Sequence, residues 1–316
     1  MKRIRCMGAM LTLWACMAGA QAQHTTIVVP AGAGGQGDTI TRYYADRLQT
    51  RLGESVIVDN KPGASGSIAA SMVARAPADG RTLFMAMGGG PLTIMPFLRE
   101  RMPYDPAKDL VPVAMVADLA MAIAVRQDSP YQTIGDLLQD ARQRPGQLSV
   151  ANTGVGSISH LLGELLGQST GTSFLHVPFQ GITSAFTEVL GGRVDAFTST
   201  SVALEELVKA GKLRVLATFS QNPLPSAAGA PTVAQALKVD GLAVPLWFGF
   251  FAPAKTPAAK VSALAAAVLD ICRQPETQQQ FKEIVACAGP ADFARAVEQD
   301  RERWRETIRK ANIKTQ

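Results

Sequence analysis

The chain has 316 residues, 47% of them hydrophobic and 18% charged, with a formal net charge of +5. That length suffices for two domains with separate cores, and the composition excludes an intrinsically disordered chain. Three of the 31 basic residues and none of the 26 acidic ones precede Gln23, so the remainder carries only +2, too little for a nucleic-acid or membrane-surface binder.

Lys2, Arg3 and Arg5 lead an apolar run from Met7 to Ala18, followed by Ala20-Gln21-Ala22. The pattern predicts a secretory signal peptide over residues 1–22, cut after Ala22. The run is shorter than the roughly 20 apolar residues of a membrane anchor. A lipoprotein cut before Cys16 would place the bulky Trp14 beside the scissile bond. Cleavage leaves Cys272 and Cys287. An oxidising compartment would let them pair, but sequence alone does not bring them within bridging range.

Thr26 to Pro30 reads as a strand entering the glycine turn Ala31 to Asp38, then a helix through Tyr43, Tyr44, Leu48 and Leu52 ended by Gly53. Ser55 to Val58 is the next strand, Asp59 to Gly66 a second turn, and Ala69 to Ala74 lie on a helix. The strand Thr82 to Met87 opens onto Gly88-Gly89-Gly90-Pro91. Three strands thus end in glycine-rich turns, where open α/β sheets bind ligands. Pro103 to Asp118 is proline-punctuated, Met121 to Val125 reads as a strand, and Ile134 to Ala141 as a helix capped by Thr133.

A second strand–glycine turn–helix unit follows, Leu148 to Ala151, Asn152 to Ser157, and a helix with His160 and Leu161. Phe174 to Val177 leads into Pro178 to Gly181, Val194 to Ser199 is a strand with a polar tip, and Arg214 to Thr218 another. Leu246 to Phe251 is aromatic-rich, and the remainder to Ile313 reads as helix-dominated. The alternation predicts an α/β fold with parallel-rich sheets. The two glycine units are the central feature: each offers main-chain N–H groups at a helix N-terminus, an anion cradle, and together they predict a small anion held between lobes.

Gly32-Ala33-Gly34-Gly35-Gln36-Gly37 also satisfies the dinucleotide fingerprint, with Asp59 at a following strand end. Export, Pro30 between strand and glycines, and Asp38 beside the would-be pyrophosphate weigh against a Rossmann enzyme. No nucleophile elbow, zinc signature or P-loop lysine is present, and His24, His160 and His176 are too dispersed in sequence to predict a metal site.

Val29-Pro30 through Gly34-Gly35 and Asp38, then Val58 to Gly66, and Ala78-Asp79-Gly80-Arg81-Thr82-Leu83 resemble the N-terminal blocks of the tripartite tricarboxylate transporter substrate-binding proteins, the Bug-type periplasmic receptors. Pro103 to Pro106, Asp109 to Val113, Thr153 to Ser157 with His160-Leu161, His176 to Phe179, Ala210 to Arg214, Pro231 to Val233 and Trp247-Phe248-Gly249 follow in family order.

The resemblance implies a type II periplasmic binding protein fold: two α/β lobes joined by two crossover strands with a ligand cleft between them. It implies lobe 1 over 23–120 plus 248–316, lobe 2 over 121–247, and hinges near 118–126 and 242–250. With the missing catalytic and metal motifs, this gives the expectation of a periplasmic receptor that is not an enzyme, with no cofactor or metal and monomer as its default state. Its implied partners are a small organic acid or amino-acid-like carboxylate and membrane transporter subunits or a sensor. Carried over by motif, the binding positions are Ala33, Gly34, Gly35 and Asp38 in the first lobe and Thr153, Gly154, Gly156 and Ser157 in the second. Met87, Phe179, Gly181, Thr198 and Ser199 complete the predicted lining. Phe179 stands where the family often has tyrosine, and Ala31 replaces a commonly aromatic residue.

Overall fold

The computed structural model describes residues 24–313, so the predicted signal peptide lies outside the described residues. The first half of the chain forms β1 (His24–Val29), α1 (Gln36–Leu52), β2 (Ser55–Asn60), α2 (Ser67–Ala74), β3 (Thr82–Met87), α3 (Gly90–Thr93), α4 (Met95–Leu98), β4 (Leu110–Arg126) and α5 (Ile134–Gln143). Then come β5 (Ser149–Asn152), α6 (Ile158–Thr170), β6 (Leu175–Pro178), α7 (Ile182–Leu190), β7 (Ala196–Thr200), α8 (Ser201–Lys209), β8 (Leu213–Thr218) and α9 (Val233–Leu237). The chain closes with β9 (Pro245–Pro253), α10 (Ala258–Cys272), α11 (Pro275–Gln280), β10 (Val285–Ala288) and α12 (Pro290–Ala311).

β1 pairs in parallel with β2 and β3, and β5 in parallel with β6 and β7. These two parallel groups are joined through antiparallel strands, giving the order β2-β1-β3-β9-β4-β7-β5-β6, with β8 and β10 also on β4. β4 serves both groups: Leu110 to Ala120 pairs with β9, and Met121 to Arg126 pairs with β7 and β8. Two α/β lobes thus share β4 and the incoming end of β9. The parallel-rich expectation holds within each lobe and fails at the centre, because each strand that passes between lobes runs against its neighbours.

Inner strands bury both faces, which is why they read as continuous apolar runs. β1 places Ile27 and Val29 in one core and Val28 in another, and β3 does the same with Leu83 and Met85 against Phe84 and Ala86. Trp247 and Phe251 of β9 stack around Phe293 of α12, with ring centroids 5.2 and 5.0 Å away. Gly249 makes room for that ring, since a Cβ there would lie 2.4 Å from it.

Two elements differ from the sequence reading. β4 begins at Leu110 rather than Met121 and includes Pro112; the register against β9 shifts between Pro112 and Ala114, and such an irregularity is where a strand tolerates a residue without an N–H. The short strand β10 lies inside the stretch read as helical. It pairs with β4, and a disulfide joins its Cys287 to Cys272 at the end of α10.

Asp118, on β4, donates its N–H to Ile284 O at 2.7 Å. Burial pushes its carboxyl up to about 6, with Asp300 adding and the Leu246 N–H opposing. A raised carboxyl pKa means the folded protein holds a proton the unfolded chain has lost, so this group lowers stability as pH rises from about 4 through 6. Asp118→Asn is therefore expected to leave stability unchanged below pH 4 and to raise it by roughly 1–3 kcal/mol above pH 6. Urea unfolding at both pH values checks this; an equal effect at both would contradict it.

Candidate ligand cleft

The turn from Pro30 to Gln36 carries β1 into α1. Ala33, Gly34 and Gly35 are exposed in it, and Gly35 caps α1 without any side-chain hydrogen bond. Among the described residues, the first-turn N–H groups of α1 therefore have neither an intrahelical acceptor nor a side-chain cap, at the positive end of the helix dipole.

Asp38 lies beneath this turn, 2% exposed. Its carboxylate accepts from Gly34 N–H, Arg42 Nε and Asn60 Nδ2, each at 2.9 Å, and Asn60 Nδ2 also reaches Ala31 O at 3.0 Å. The Arg42 hydrogen bond, helped by Gly34 and Asn60, holds the carboxyl down at about 2. Gly34 thus turns its N–H inward, and Asp38 positions the loop. Asp38→Ala is expected to lower stability by about 1–3 kcal/mol at neutral pH, because three donors lose their acceptor. A lowered carboxyl pKa is stabilising above about pH 4, so the difference from wild type should vanish as pH falls through 2; unfolding curves between pH 2 and 7 measure it.

The other glycine turns of this lobe pack against the first. A Cβ on Gly66 would lie 3.1 Å from both Pro30 and Pro91 side chains. Met87, at the end of β3, is 39% exposed, whereas Met85 and Met95 are core.

The second glycine turn is closed on itself. Thr153 N–H donates to Ser159 Oγ, Gly154 N–H to Asn152 Oδ1, Gly156 N–H to His160 Nδ1 and Ser157 N–H to Gly154 O, all at 3.0 Å. Ser157 caps α6 by accepting His160 N–H at 3.2 Å. Val155, 56% exposed, and Ile158 carry N–H groups with no acceptor among the described residues. His160 sits behind the turn, and burial, with His176 beside it, pushes its imidazole down to about 4.

Asn152 ends β5, and Thr198 lies in the middle of the neighbouring β7, which runs on to Thr200. Ala151 is abreast of Phe197 in the parallel register, so the next pair is Asn152 with Thr198. Both are 1% exposed, and Asn152 Nδ2 and Thr198 Oγ1 have no hydrogen-bond partner among the described residues. Buried polar groups left over in this way are what a ligand or water satisfies. Thr198 was expected here. Asn152 was missed, although its place as the last strand residue before a glycine turn was the available signal. Ser199 is buried on the opposite face of β7. Phe179 donates its N–H to Asn152 O at 2.9 Å and packs, half-buried, on the second-lobe core. Gly181 is exposed and caps α7 without a side chain.

The lobes meet at the third glycine turn, where a Cβ on Gly89 would lie 3.7 Å from Ile158 Cβ at the start of α6. Asp300 of α12, fully buried, fixes that turn by accepting Thr93 Oγ1 at 2.7 Å and Gly89 N–H at 3.3 Å. Trp247 is fully buried and belongs to the core rather than the cleft wall.

Two α/β lobes joined through shared strands, each with glycine-rich turns at the ends of its parallel strands, define a periplasmic binding protein fold. Residues 40–313 match the family described as tripartite tricarboxylate transporter family receptor, and the chain belongs to it. A protein of Pseudomonas sp. strain P51, described as UPF0065 protein in the tcbD-tcbE intergenic region, is 33% identical over 286 residues, 90% of this chain and 84% of that one. Among solved structures, Rpa4515 of R. palustris with adipate superposes with a TM-score of 0.80 at 32% identity, covering 94% of this chain and 100% of that one. MatC from Rhodopseudomonas palustris with bound malate gives 0.74 at 27% identity, covering 90% and 98%.

Proposed function

We propose that this protein captures one small organic acid between its lobes and presents it to membrane transporter subunits or a sensor after export and removal of residues 1–22. The observation that carries this is the uncapped N-terminus of α1 together with the free N–H groups of Val155 and Ile158 at the start of α6, with Asn152 Nδ2 and Thr198 Oγ1 buried and unpaired among the described residues of the second lobe. Main-chain N–H groups recognise a carboxylate through charge and geometry, and side-chain groups beneath select what is attached. The solved relatives carrying adipate and malate support a carboxylate-bearing ligand.

In this reading residues 23–120 plus 248–316 form one lobe and 121–247 the other, with the hinge where β4 and β9 cross between them. A ligand stabilises the closed form only as far as it contacts both lobes. Ala33, Gly35, Val155 and Ile158 supply the anion contacts, Met87 and Phe179 line the cleft, and the chain acts as a monomer without catalysis. Small-angle scattering, with the carboxylate that stabilises the protein most, tests closure. A smaller radius of gyration on binding is expected; an unchanged one at saturation would contradict it.

A further inference from the structure

His160 and Glu164 stand one turn apart on α6, and His176 of β6 lies against both. Dispersed in sequence, the two histidines come together in the fold: their rings meet edge to face with centroids 4.7 Å apart. Glu164 Oε1 is 3.2 Å from His176 Nε2 and 3.8 Å from His160 Nε2. One donor atom from each of the three residues lies within 4.8 Å of the others. The neighbouring helix position is built to admit this cluster, because a Cβ on Gly163 would fall 2.6 Å from His176 Cε1. Both groups facing the Glu164 carboxylate are imidazoles, and among the described residues no lysine, arginine or backbone N–H reaches it.

We propose that His160, Glu164 and His176 bind a divalent transition metal of the zinc class. Two imidazoles and one carboxylate, with a fourth position left to water, form a zinc ligand set. Glu164 and His176 are partly accessible, which gives the ion an entry path. Coordination through Nε2 leaves each ring's proton on Nδ1. In His160 that atom now accepts the Gly156 N–H at 3.0 Å. Zinc and this hydrogen bond exclude one another, so metal binding releases the Gly156 N–H in the second glycine turn. The site thereby joins a metal to the conformation of a cleft loop.

The test uses tag-free residues 23–316, freed of metal by chelation and titrated with zinc alone. One zinc per chain is expected, with affinity reduced about 100-fold in Glu164→Gln and in Gly163→Ala, which keeps all three ligands but displaces His176. Melting of each variant in chelator verifies that it folds. In the wild type, the Gly156 amide should exchange with solvent roughly tenfold faster when zinc is bound. No stoichiometric zinc binding, or equal affinity in folded Glu164→Gln, overturns the site. Zinc binding with unchanged Gly156 exchange overturns the link to the loop.

Discussion

Gly154→Ala is expected to weaken carboxylate binding by about 10- to 100-fold, the equivalent of 1–3 kcal/mol of backbone strain. Gly154 has φ +125°, a conformation that L-residues rarely adopt, and no heavy atom lies within 4 Å of where its Cβ would be. The effect is therefore conformational rather than steric. The variant either keeps the turn under strain or relaxes it, and relaxation breaks the bond from Gly154 N–H to Asn152 Oδ1 and moves the N–H groups of Val155 and Ile158. Gly171→Ala is the matched control. Gly171 ends α6 at φ +65°, away from the cleft, again with open space around its Cβ. It should lower stability by about 1–2 kcal/mol and leave affinity intact. Equal affinities for the two variants, measured by calorimetry, would remove the second glycine turn from the site.

The second large effect concerns the disulfide. Replacing both partners, Cys272→Ala with Cys287→Ser, is expected to lower unfolding stability by about 3 kcal/mol, the value for a closed loop of this length. The bridge ties the end of α10 to β10, which pairs with β4 close to Asp118, so its loss loosens the strand shared by both lobes. Guanidinium unfolding with and without reductant measures it. Reductant should destabilise the wild type by a similar amount and leave the double variant unaffected; a wild type indifferent to reductant would contradict the account.

The sequence pattern was most legible where local chemistry dictates structure. Continuous apolar runs with glycine at the strand end identified β1, β3 and β5, and the ordered blocks from Val29-Pro30 to Trp247-Phe248-Gly249 identified the family. Both helix N-termini are legible in the sequence, because a strand, a glycine turn and a helix start are all short-range features. What was missed depends on distant partners. Pro112 hid the first half of β4, whose irregular pairing with β9 accommodates it. β10 is four residues long and exists through its pairing with β4. Asp38 is legible as a binding position by motif, whereas its support of the loop depends on its bond to Asn60, 22 residues on, as well as on Gly34. His160 and His176 are 16 positions apart, and only the packing of β6 on α6 brings their rings together.

In the proposed function the two glycine turns together hold a carboxylate. The most direct measurement is a thermal-shift screen of residues 23–316 against organic acids, amino acids, the corresponding amides and nicotinamide cofactors. A carboxylate at about 100 times its dissociation constant adds roughly 2.7 kcal/mol, so one acid class should raise the melting temperature while its amides do not. Stabilisation by nicotinamide cofactors alone, or by amides as strongly as by acids, would contradict the account.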